Sequence, residues 1–180
     1  MGIPKEPKPV KLFMALLSRD PEVFPLVEGR LSGVFGPMDS FSATLPWETT
    51  DYYEEEMGSG LLRKFVSFAP LISPEKLPET KLKTHGLEQG CLWSEGERKG
   101  RKINIDPGYV DVGKVVLAST KDAAHRIYLR SGIYGEATLL FHGGSFHPFD
   151  YTYPDYLWPE TLAFFTALRS LYLNQLRESG

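Results

Sequence analysis

Four short β-type runs, near residues 101–106, 113–119, 125–130 and 134–142, follow one another with few residues between them. The breaks fall at Pro107-Gly108, Lys121-Asp122 and Ser131-Gly132, residue types that turn a chain back on itself. Such connections join antiparallel neighbours, because a parallel crossover needs a dozen residues or more. An earlier block has the same character, with β-type runs at Phe41–Trp47, Asp51–Met57 and Leu62–Pro70. The apolar run Leu12–Leu17 predicts a buried strand over about 10–17. Asp20-Pro21-Glu22 then opens a helix to about residue 32, with Asp20 as its cap.

A second helical region starts at Ser73-Pro74-Glu75, is interrupted by Pro78, and runs to about Leu92. Residues 94–102 read as a charged turn and 143–158 as an aromatic-rich loop. The last helix begins at Pro159, and its stripe of Leu162, Phe165, Leu168, Leu171, Tyr172 and Leu176 should pack on the sheet. The order βαβββα then ββββα predicts an α+β fold, largely antiparallel, with about three helices. Its first half, with one strand surplus, fits a ferredoxin-like βαββαβ unit. Residues 1–9, with three prolines and three charges, are expected to form a flexible arm before a single domain over 10–180.

Composition excludes several function classes. A net charge of −3 and a pI near 5.8 give no bulk attraction for nucleic acid or an anionic membrane, so neither partner is expected. The single cysteine, Cys91, excludes an internal disulfide or a Cys-rich metal cluster and reads as core beside Leu92 and Trp93. The six apolar residues of Leu12–Leu17 are too few for a signal peptide, and no stretch approaches a membrane span. A cytoplasmic location is the expectation.

Strand alternation places the candidate chemistry, because a period of two assigns each side chain to one face. Arg126, Tyr128 and Arg130 share a face, opposite His125; Tyr134, Glu136 and Thr138 share a face on the next strand. If the two strands pair through Ser131-Gly132, an arginine lies beside Glu136. That face reads either as a solvated sheet surface or as the floor of a pocket for an anion. Lys121, Asp122, His125 and Arg126 fall within six residues, a set suited to phosphate or carboxylate recognition or equally to a solvated turn. Asn104 and Asp106 share a face before the Pro107-Gly108 turn, where they cap backbone or reach a metal or a substrate hydroxyl. In Thr152–Tyr156, Tyr153 and Tyr156 flank Asp155 among further aromatics, which suits a cleft wall or a packed loop.

Other patterns carry less. Gly108 to Lys114 satisfies the Gly-x4-Gly-Lys of a P-loop, but Val115 replaces the magnesium-binding hydroxyl and the sequel reads as a strand. His142, His147 and Asp150 match no specific metal spacing, so no metal site is assigned. The Glu54–Glu56 run suggests pairing with Arg63 or Lys64 on the next strand, and Lys81, Thr84 and Glu88 read as a solvated helix stripe. No nucleophile elbow, zinc-protease helix, EF-hand or Rossmann fingerprint occurs.

The chain resembles the prokaryotic family known as domain of unknown function 4416 over nearly its whole length. The resemblance rests on Lys11–Phe13, Tyr53–Gly58, Asn104–Tyr109, Leu117–Lys121 leading to His125–Leu129, Gly132–Tyr134 with Glu136, Thr138 and Leu139, and Thr152–Tyr156. It implies a family and no activity; a GTP-binding label attached to relatives is opposed here by the defective P-loop. Three functional readings follow. The first is a binder of, or enzyme for, an anionic or phosphorylated small molecule, with no cofactor assigned. There Lys114, Lys121 and Arg126 hold the anion, His125 or Glu136 moves protons, Asp106 and Asp155 with Asn104 orient a hydroxyl or a metal, and Tyr134, Tyr153 and Tyr156 wall the ligand. The second is a non-catalytic interaction or homodimerisation module, and the third a nucleotide-binding protein.

Overall fold

The structure, a computed structural model, describes residues 2–50, 53–95 and 98–178. Strand β1 (Val10–Ser18) is buried at every position and lies at the centre of the sheet. On one face Leu12, Met14 and Leu16 pack against Val23, Phe24, Val27 and Leu31 of helix α1 (Val23–Phe35). On the other, Phe13 and Ala15 pack against Phe164, Phe165 and Leu168 of helix α4 (Pro159–Glu178). Burial on both faces explains why this strand is apolar without alternation.

The chain continues through β2 (Met38–Phe41), β3 (Leu45–Trp47), α2 (Glu54–Met57), β4 (Leu61–Ile72), α3 (Leu77–Gln89), β5 (Leu92–Glu95) and β6 (Arg98–Arg101). It then forms β7 (Asn104–Val110), β8 (Lys114–Ser119), β9 (Ile127–Arg130), β10 (Ile133–His142) and β11 (Ser145–Pro148) before α4. The main sheet runs β11-β10-β8-β7-β1-β4-β2, with β3 on β4 and β9 on β10, and its pairs are antiparallel. Within it, β7-β1-β4-β2 with connecting helices α1 and α3 is the split βαβ order of a ferredoxin-like unit. The surplus strand is β3, and the fourth strand is borrowed from the second block. The α+β, mostly antiparallel class expected from sequence is the observed one. Helices α1 and α3 cover one face and α4 the other, since Leu12, Tyr109 and Val116 align across the sheet on the first, and Phe13, Gly108 and Leu117 on the second.

Several local expectations are corrected. Pro107 and Gly108 do not turn the chain but lie within β7, paired with Met14 and Phe13. Glu54–Met57 is a short helix rather than a strand; Asp51 and Tyr52 of that expectation lie outside the described residues. Pro78 does not interrupt α3 but sits in its first turn, where its missing N–H has no helical acceptor to lose. That helix stops at Gln89, and Leu92 already belongs to the β5–β6 hairpin that replaces the expected charged turn. Part of the aromatic loop forms β11.

Candidate functional site

Strands β7 and β8 pair from Val110–Val115 only as far as Gly108–Leu117. Beyond that point Asn104–Pro107 stays with β1 while β8 stays with β10, so the two central strands part. Helix α3 supplies the bonds that the missing ladder would have made. Ile105 donates its N–H to the Glu88 carboxylate at 2.6 Å, and its carbonyl accepts from the Lys81 ammonium at 3.0 Å. Alternation points the nitrogen of Pro107 the same way as that of Ile105, so a proline in this central strand forfeits no ladder bond. Lys81, Thr84 and Glu88 are therefore buried rather than a solvated stripe.

A cavity of about 650 Å³ opens where the strands diverge. Its floor is one sheet face, on which Arg63 and Asn104 flank Leu17, Asp106 lies one row on, and Leu117 and Glu136 pair in the next row. Further along the same face lie Phe13, Phe65, Val110 and Val115, buried under α4. The face changes from apolar to polar where α4 gives way to the 3-10 turn Pro154–Tyr156 that precedes it. That turn brings Asp155 and Tyr156 over the floor, and Tyr153, Trp47 and Tyr53 complete the wall.

The lining bases are Arg63, Lys81, Arg101, Lys121 and Arg126, and the lining acids are Glu56, Glu88, Asp106, Glu136 and Asp155. One wall is a closed network. Arg101 makes a two-pronged pair with Glu56 at 2.6 and 2.8 Å and donates to Asn104 Oδ1 at 2.9 Å. Asn104 donates in turn to Asp106 Oδ2 at 2.6 Å, and Lys81 meets Asp106 Oδ1 at 2.9 Å. Enclosure works against an ionised Asp106, but Lys81 and Arg63 outweigh it and hold the carboxyl below its ordinary value. The hydrogen bond from Arg101 does the same for Glu56 against a smaller burial effect.

On the opposite wall Arg126 Nε donates to Glu136 Oε2 at 2.6 Å, while its two other nitrogens reach the Lys121 carbonyl and the Tyr153 hydroxyl, each at 3.0 Å. His125 Nε2 lies 3.1 Å from the same Glu136 oxygen, and its ring stacks on Tyr151 at 4.1 Å. Strand β9 begins only at Ile127, so His125 and Arg126 precede the alternation that would have separated them. Between these walls Arg63, 5% exposed, and Asp155, 1% exposed, face each other. Arg63 Nε and Asp155 Oδ2 are 2.8 Å apart, yet the N–H does not point at the oxygen, so the charges are paired and the hydrogen-bonding capacity of both atoms is unused. Burial opposes the charge on Arg63, but Asp155 and its neighbours outweigh it and raise the guanidinium above its usual value. Burial also pushes the Tyr156 phenol well above its ordinary value, which keeps it a neutral donor.

Of the residues singled out from sequence, Asn104, Asp106, Lys121, Arg126, Glu136, Tyr153, Asp155 and Tyr156 line this one cavity, and His125 touches Glu136 from outside the lining. Two do not belong. Lys114 sits in the β7–β8 hairpin, paired with Asp111 at 2.5 Å, and Tyr134 packs edge-on against Tyr128. The P-loop-like segment is that hairpin, where Asp111 Oδ1 accepts the N–H groups of Gly113 and Lys114 and no helix follows. Glu56 pairs with Arg101, and Lys64 with Glu28, so the expected cross-strand pairs are absent. His142 and His147 stack on each other, and among the described residues no His, Cys, Asp and Glu cluster suits a metal ion.

Sequence reasoning missed Trp47, Arg63, Lys81, Glu88 and Arg101 as lining residues. A signal existed for Arg63, which alternates with the buried Leu61 and Phe65 on one face of β4 and is thus a lone charge in an apolar stripe. No curated protein and no solved structure gives a significant match to the chain. The family model of the domain of unknown function DUF4416 matches residues 8–172, covering the sheet, the cavity and most of α4, and the chain belongs to that family.

Proposed function

We propose that the chain binds a small polar molecule in the cavity between β7 and β8, with an anionic group of that molecule received by Arg63. One observation carries this reading. Trp47 Nε1, Arg63 Nε and Nη1, Glu136 Oε1, Asp155 Oδ2 and the Tyr156 hydroxyl are buried without a hydrogen-bond partner, and all five residues line the one cavity. Buried polar atoms are normally bonded, and leaving one unmatched costs about 1–3 kcal/mol. Among the described residues five of the seven that carry such atoms meet at this concavity, Thr138 and Thr161 lying outside it, so most of them form one recognition surface, and the volume falls in the range of small-molecule sites. Glu136 is the group placed to take a proton from such a molecule. Its Oε2 is held by Arg126 and lies within reach of the part-exposed His125, which leaves the buried Oε1 without a partner.

Ligand binding to the native state raises its unfolding temperature. A thermal-shift screen of the full chain against carboxylic acids, phosphorylated metabolites and nucleotides should give stabilising compounds whose effect disappears in Arg63→Met. Stabilisation that persists unchanged in Arg63→Met would place the ligand elsewhere and end this reading.

A second reading, self-association, has its own observation: β9 shows Ile127 at 73%, Tyr128 at 58% and Leu129 at 41% exposure on a strand at the edge of the sheet. Light scattering of Ile127→Asp against the unaltered chain tests it, since a dimer through β9 would dissociate.

A further inference from the structure

We infer that the molecule taken by this cavity is a small zwitterion of the α-amino-acid type, its carboxylate on Arg63 and its ammonium on the oxygens of Asp155 and Glu136. The inference rests on the ligand-binding reading and specifies its chemistry. The unmatched atoms are of both kinds. Donors come from Arg63 and Trp47, acceptors from the two buried carboxylates, and the Tyr156 hydroxyl can serve as either. A purely anionic ligand would satisfy the first set and leave two carboxylate oxygens buried and unmatched.

Charge balance points the same way. Among the described lining residues five lysine and arginine side chains stand against five carboxylic acids, with His85 beside Glu88. A monoanion or a phosphate would add an uncompensated negative charge to those paired lysine, arginine and carboxyl groups, whereas a zwitterion adds none. A neutral polyol would also keep the balance, but the groups left to be matched are a guanidinium and carboxylates. Hydrogen bonds between ionised partners are about twice as strong as neutral ones. An ammonium brings three donors and a charge to acceptors that offer no donor of their own.

The α-amino-acid spacing fits the proximity of the two receiving charges, for Arg63 and Asp155 are 2.8 Å apart. Tyr156 is close enough to Arg63, Asp155 and Glu136 for its ionisation to respond to all three. Trp47, Tyr53 and Tyr153 offer aromatic surface for a side chain beyond the head group.

Isothermal titration of the full chain with the common amino acids, each beside its N-acetyl and α-amide derivatives, decides the matter. At least one free amino acid should bind, and its N-acetyl form, an anion only, and its amide, a cation only, should each bind about tenfold or more weakly, the scale of one lost bond to a charged group. Glu136→Gln, checked by its unfolding curve to be folded, should weaken the amino acid by a similar factor. Equal binding of the N-acetyl derivative overturns the inference. If no amino acid binds at millimolar concentration while a phosphorylated or neutral metabolite stabilises the chain in an Arg63-dependent way, the zwitterion is wrong and the binding site stands. If nothing in either panel acts through Arg63, both fall.

Discussion

Two acids that line this cavity carry opposite signs in the stability of the fold. Burial raises Glu88 above its ordinary carboxyl value, with Lys81 and Arg101 opposing, whereas Asp106 is lowered because Lys81 and Arg63 outweigh its burial. A carboxyl whose folded-state pKa lies above the unfolded value binds its proton more tightly when folded. Stability therefore falls as pH rises from about 4.5 through the raised value. Glu88→Gln keeps an acceptor for the Ile105 N–H and removes that titration, so its stability relative to the unaltered chain should grow between pH 4 and pH 7. Asp106 stabilises above its unfolded value near 3.8, and that contribution is lost as pH falls through its lower folded value. Asp106→Asn should accordingly be destabilised at pH 7 and approach the unaltered chain toward pH 3. Urea unfolding at several pH values measures both, and slopes of the same sign for the two variants would contradict the account.

The elements that could be read from sequence are those whose side chains repeat against one layer. Strand β1, the β8 and β10 strands and α4 follow from uninterrupted apolarity, alternation and a helical stripe, whereas Asp20 closes a turn onto the Glu22 N–H and the cap position of α1 falls to Glu22. The failures share a cause: a local rule was overruled by a neighbour distant in sequence. Pro107-Gly108 has the chemistry of a turn, and Pro107 is tolerated within β7 because α3 rather than β8 faces its nitrogen. Gly108 is there for contact, not for a positive φ. A Cβ on it would lie 2.4 Å from the Val116 carbonyl oxygen and 2.5 Å from the Phe13 ring. Gly108→Ala must therefore push β8 or Phe13 out of place, at the last pair before the strands part. The expected cost is about 1–3 kcal/mol, the usual range for overpacking a filled core. A shift in the denaturant midpoint reads it directly, and an unchanged midpoint would mean that β8 separates from β7 one pair earlier than Gly108–Leu117.

At the scale of the whole molecule, the site is the place where the fold departs from its own rules, and this decided how much of it the sequence could disclose. Arg126 stands just before β9 and Glu136 within β10, so the Ser131-Gly132 break between those two strands was enough to bring them near each other although Arg126 lies outside the alternation. Arg63 and Asp155 stand on β4 and on the turn before α4, and no period relates two positions so far apart. Lys114 illustrates the converse: local composition drew attention to a residue that the hairpin directs elsewhere. If the Arg63–Asp155 pair serves binding, it should be a burden to the empty fold, since two buried charges with unused hydrogen-bonding capacity give back little of their desolvation cost. Removing only the base, in Arg63→Met, strands the Asp155 carboxylate and should cost about 3–5 kcal/mol. Replacing both, in Arg63→Met with Asp155→Leu, should recover that loss and reach or exceed the original stability, by up to about 4 kcal/mol, while ligand-induced stabilisation disappears. The pair of outcomes separates function from architecture: a double variant less stable than Arg63→Met alone would mean that the two charges hold the turn and the sheet together, and that the cavity between them is a by-product of that bond.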